Sequence, residues 1–169
     1  MKRALLRAAT VLAAALAASA LAASGATASP SILQRFSVPS ADNCTYGYTQ
    51  GHLEWRSPGP SSAVRLAGVI ADRPMPNDPG TVCRDDRRYT IASYTAYAGN
   101  VPVDEAARRV DNGLVEFDFV LGANSSARGI DRVIIQVCRH ALPGSVTPAP
   151  DYCSRQYTFT PWTTNPTTS

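Results

Sequence analysis

The chain has 169 residues, 44% of them hydrophobic, with four cysteines and 16 basic against 13 acidic side chains. Three of the bases and none of the acids fall within residues 1–28, so the remainder is balanced, with 13 of each sign. A balanced chain exerts no broad pull on phosphate, which argues against nucleic acid or an anionic membrane as a partner.

Lys2, Arg3 and Arg7 precede an apolar run at 11–23, and Ala26-Thr27-Ala28 follows as a small-residue cleavage pattern. This arrangement predicts a signal peptide over 1–28 and a secreted, extracellular product beginning at Ser29. The apolar run is too short to cross a bilayer, so no membrane attachment is expected after cleavage.

Residues 29–43 carry two prolines and no clear period, which predicts an extended N-terminal arm ahead of a β domain over 44–160. In 46–56, Leu53 and Trp55 share one face of a strand, and His52 and Glu54 share the other. Residues 63–72 alternate in the same way, with Val64, Leu66 and Ile70 inward, and Gly68 leaving room for an aromatic ring. Residues 73–81 hold three prolines and read as a stiff loop. In 82–98, Tyr89 and Ile91 fall on one parity and Tyr94 and Ala96 on the other, so a bulge near Ser93 is expected.

Residues 103–110 are the one helical candidate, because Val103, Ala106, Ala107 and Val110 follow helical spacing. Asp111-Asn112-Gly113 is a turn signal. Beyond it Val115, Phe117, Phe119 and Leu121 oppose Glu116 and Asp118 in a clean half-buried strand. Val133, Ile135 and Val137 point inward from the next strand, a last strand covers about 152–160, and 161–169 reads as a flexible tail. The expected fold is all-β: an antiparallel β-sandwich of six or seven strands, with a closed barrel as the alternative.

The four cysteines, Cys44, Cys83, Cys138 and Cys153, form no C-x-x-C, and export would carry them to an oxidising compartment. Two disulfides are expected, Cys44–Cys83 and Cys138–Cys153, the second clamping neighbouring strands. The order Cys44, Trp55, Cys83 resembles an immunoglobulin domain in architecture. The cysteine spacing is shorter than that family's, and Thr81 stands where its corner tyrosine would be. The run of VRLAGVIAD, a cysteine-led strand, VIIQVCR and YCSRQYTF is similar to small secreted actinobacterial proteins of unassigned activity. That resemblance implies a β fold with two bridges and no chemistry.

No nucleophile elbow, zinc-protease helix or calcium loop is present, and no metal or other cofactor is expected. His52 beside Glu54 could reach a site or form a surface pair. Glu116 and Asp118 emerge about 7 Å apart, a spacing open to carboxylate catalysis and equally to the wet side of a strand. Tyr46, Tyr48, His52 and Trp162 are the candidate binding residues, since exposed rings stack on sugars or anchor proteins. Three functions stay open. The first is a non-catalytic binding module for an extracellular protein or carbohydrate. The second is a protease inhibitor presenting 73–82. The third is a hydrolase using carboxylates or His52.

Overall fold

A computed structural model describes residues 31–42, 44–56, 60–75, 84–122, 129–144, 151–162 and 167–168. The predicted signal peptide, most of the 73–82 loop, and Cys83 lie outside the described residues. The described residues are all-β, built from β1 (Ile32–Pro39), β2 (Gly47–Trp55), β3 (Ala63–Asp72), β4 (Arg88–Ala98), β5 (Val101–Val110), β6 (Gly113–Gly122), β7 (Arg132–Ala141), β8 (Tyr152–Cys153), β9 (Tyr157–Phe159) and β10 (Thr167–Thr168).

Alternation decides which side of each strand turns inward. Two antiparallel sheets result, ordered β1-β2-β3-β6 and β10-β9-β7-β4-β5, with β8 also pairing β7. Their apolar sides meet in one core. It contains Val38, Leu53, Trp55, Val64, Leu66 and Ile70 from the first sheet and Tyr94, Ile135, Val137 and Phe159 from the second. Inside it Trp55 donates to Gln34 Oε1 at 3.3 Å, and the Tyr94 hydroxyl bonds that of Thr49 at 2.7 Å. In the constant-type immunoglobulin order the third strand leaves the sheet of the first two. Here β3 stays beside β2, so what is shared is two packed antiparallel sheets and not the strand order.

Four expectations are corrected. The supposed arm is, over Ile32–Pro39, a full strand paired along its length with β2, so the sandwich begins before Cys44. The helical candidate is strand β5: Asp104, Ala106, Arg108 and Val110 turn toward the other sheet while Glu105, Ala107 and Arg109 turn out. Its inward side is two-fold periodic but chemically mixed. Asp104 accepts from the backbone N–H of Gly122 at 2.8 Å and Arg108 stacks on Phe119, so two charged side chains are spent on the edge of β6. No bulge occurs at Ser93, because Arg88, Thr90, Ala92, Tyr94, Ala96 and Ala98 all point inward without interruption. The register shift lies at Ala96/Tyr97, against β5. The tail, finally, returns at Thr167–Thr168 to pair with β9.

The last expected strand is two short ones. Between them Ser154 takes over the ladder: its N–H donates to Val137 O and its hydroxyl accepts from Val137 N–H. Cys138 and Cys153 face each other across β7 and β8 and are bridged, as expected. Cys44 is also disulfide-bonded.

Candidate functional site

The four-stranded sheet turns a broad polar face to solvent. Cross-strand pairing sets its rows. One row runs Arg35–His52–Ala67–Asp118. A second runs Leu33–Glu54–Arg65–Val120, and a third Ser37–Gln50–Val69–Glu116. In the middle, Gly51 of β2 lies opposite Gly68 of β3. A Cβ on Gly51 would sit 2.2 Å from the Ala67 carbonyl oxygen, and one on Gly68 would sit 2.2 Å from that of Gln50. Only glycine admits so close a backbone approach. On the inner side the same pair lies between Phe36 and Phe117 in the cross-strand row, and the two rings stack with centroids 6.5 Å apart. On the outer side is a shallow hollow of about 690 Å³ rimmed by Arg35, Ser37, Gln50 and Val69.

Charge on this face is ordered. Arg65 grips Asp118 through Nε at 2.9 Å and Nη2 at 2.5 Å, with Glu54 at 3.9 Å. The hydrogen bond from Arg65 holds the Asp118 carboxyl below its usual range, with the charges of Arg65 and His52 adding to it. A carboxylate held this way suits an ion pair better than a proton carrier.

The sequence candidates do not share one surface. Tyr48 and His52 lie on the outer face just described. Tyr46 lies before β2, where the Arg139 guanidinium stacks on its ring at 4.5 Å. Trp162 is 62% exposed and follows β9 of the other sheet. Glu54, Glu116 and Asp118 join His52 on one sheet face, while His140 sits on the opposite side of the sandwich. There His140 Nδ1 meets Asp151 at 2.9 Å, its ring stacks on Tyr89, and Arg109 covers Tyr89 at 3.8 Å. Arg132 likewise covers Tyr97.

A second polar centre closes one end of the sandwich. Arg139 is 0% exposed, with Asp86 at 2.7 Å, Asp72 at 3.3 Å and Asp42 at 3.6 Å. Asp72, also 0% exposed, accepts from the Thr90 hydroxyl and, at 2.9 Å, from the Asn112 N–H. Burial pushes its carboxyl above the usual value, against the opposing pull of those bonds and of Arg139. Above this cluster a cleft of about 490 Å³ is lined by Asp42, Cys44, Tyr46, Asp86, Arg88 and Tyr152. The buried arginine occupies the place a cation would take among these carboxylates. Among the described residues no group of histidine, cysteine and carboxylate side chains is placed to hold a metal.

Sequence reasoning passed over this centre because charge was read as exposed. The signal was there: the inward parities of β3, β4 and β7 run on to Asp72, Thr90 with Arg88, and Arg139. Nor does it reach the hollow: β1 reads as an arm, so Arg35 and Ser37 have no place beside Gln50 and Val69, and only the register joins them. The chain matches no protein-family model, and no curated protein or solved structure matches it either.

Proposed function

We propose that the protein is an exported, non-catalytic binding module whose working surface is the outer face of the four-stranded sheet. One observation carries this reading. The hollow over Gly51 and Gly68 has Arg35, Ser37, Gln50 and Val69 at its rim, with His52 alongside, and these side chains differ in charge, hydrogen bonding and shape. Recognition needs such variety within reach of one partner. On the opposite outer face Arg109, Tyr89, His140 and Asp151, and Arg132 with Tyr97, are spent on one another. The carboxylate pair that a hydrolase would use includes Asp118, which is committed to Arg65.

Export rests on the first 28 residues, and a balanced charge favours an extracellular protein or a carbohydrate over polyanions. The test immobilises the mature domain, bridges intact, and measures retention of cell-wall polysaccharides and culture-medium proteins. The same is done with a triple variant, Arg35→Ser/Gln50→Ala/His52→Ser. Retention by the native domain that the triple variant loses is the expected result. Equal retention by both would move the working surface elsewhere.

A further inference from the structure

We infer that the partner this face fits is a second copy of the chain, packed face to face about a two-fold axis that runs along the strands between β2 and β3. The inference rests on reading this face as the working surface. Such an axis lays β1 on the second copy's β6 and β2 on its β3, and each cross-strand row meets its own reverse. In the first row, Arg35 then faces Asp118 and His52 faces Ala67. In the second, Leu33 faces Val120 and Glu54 faces Arg65. In the third, Ser37 faces Glu116 and Gln50 faces Val69.

Each arginine and carboxylate therefore meets an opposite charge or a hydroxyl, while His52 and Gln50 of β2 meet the smaller Ala67 and Val69 of β3. Leu33 and Val120, 64% and 49% exposed at opposite edges of the face, cover each other. Arg35 extends the Arg65–Asp118 pair into a chain of alternating sign that ends on Glu54. The other face-to-face two-fold, across the strands, sets β6 antiparallel on β6 and, centred on the face, brings Asp118 against its own copy or against Glu116 of the second copy. Like charges oppose that arrangement, so the pattern selects one axis. An isologous contact of this kind closes at two copies.

Strands about 4.8 Å apart and about 3.3 Å per residue give roughly 500 Å² of face per copy. The total of roughly 1,000 Å² lies at the low end of specific interfaces, so the dimer is reversible and concentration-dependent.

Sedimentation equilibrium of the mature protein, bridges intact, across micromolar to millimolar concentration is the test. A monomer–dimer equilibrium weakened by salt is expected. Leu33→Asp should weaken it by about tenfold or more. Val120→Asp should do the same from the other side of that contact, and Leu33→Asp/Val120→Arg should restore most of the association. Both positions are exposed, and unchanged circular dichroism verifies each variant's fold. A chain monomeric throughout, a dimer indifferent to both single variants, or a double variant no tighter than Leu33→Asp overturns the inference. A monomer that still loses its retained partner in the Arg35→Ser/Gln50→Ala/His52→Ser variant overturns self-association alone and leaves the binding face standing.

Discussion

Replacing Arg139 with methionine isolates the charge at the closed end of the sandwich. Methionine keeps an apolar stem of similar reach and removes the cation. Asp72, at 0% exposure, retains the Thr90 hydroxyl and the Asn112 N–H but loses its counter-charge at 3.3 Å. Removing one partner of a buried ion pair destabilises by about 3–5 kcal/mol. Asp42 and Asp86 border the open cleft and can recover hydration, which places the expected loss near the lower figure, about 3 kcal/mol at pH 7. The pH dependence has a definite sign. Burial already holds Asp72 above its ordinary 3.8, so the folded chain binds that proton more tightly than the unfolded chain. Stability from this group therefore rises as pH falls through the folded value toward 3.8. Without Arg139 the folded value climbs further, and the variant's deficit shrinks over that window. Urea unfolding of both chains at pH 7 and pH 4, disulfides intact, measures it. A deficit below about 1 kcal/mol at pH 7, or one equal at both pH values, would refute the account of Asp72 as an anion held by Arg139.

Gly68→Ala drives a methyl to within 2.2 Å of the Gln50 carbonyl oxygen and 2.8 Å of Gly51 Cα, backbone atoms that cannot rotate away. A loss of at least about 3 kcal/mol is expected in thermal unfolding, while Gly122→Ala, with nothing within 4 Å, stays near neutral. Cys138→Ser/Cys153→Ser opens a bridge spanning 15 residues and should lower stability by about 3 kcal/mol in urea. Tyr94→Phe removes a hydroxyl bonded to Thr49, which keeps its bond to the Val69 carbonyl, so about 1 kcal/mol is lost. Burial pushes the Tyr94 hydroxyl far up, and ultraviolet titration of the native fold should show at least one tyrosine silent until unfolding.

The central strands were legible because their alternation is chemically clean. Leu53 with Trp55, Val64 with Leu66, Phe117 with Leu121, and Val133 with Ile135 all point where period two sends them. Reading failed where the inward face carries polar atoms. In β5 the inward Asp104 and Arg108 disguise a strand, and the apolar residues left over happen to fall at helical intervals. In β4 the true inward set opens with Arg88 and Thr90, so the apolar residues Tyr89 and Ile91 fall on the opposite parity from Tyr94 and Ala96 and suggest a bulge that is not there. For β1, two prolines nearby hid the alternation of Gln34, Phe36 and Val38. The candidate site was half legible: Tyr48 and His52 were placed on the correct outward parity, but their neighbours come from other strands. Which strand lies beside which is a matter of register, and the one-dimensional pattern does not carry it.

Arg139 also ties together parts of the chain made at different times. Asp42, Asp72 and Asp86 all precede it by more than 50 residues, and β4, which lies between β5 and β7, finds its second neighbour only in β7. A chain emerging N-terminus first holds three carboxylates without their shared cation, and half a sheet without its centre, until residue 139 arrives. Completion is thus gated by a late segment, and loop closure over such distances is slow. A fragment ending at residue 131 should show no cooperative unfolding transition, because it lacks both the shared cation and the strand that joins β4 to β9.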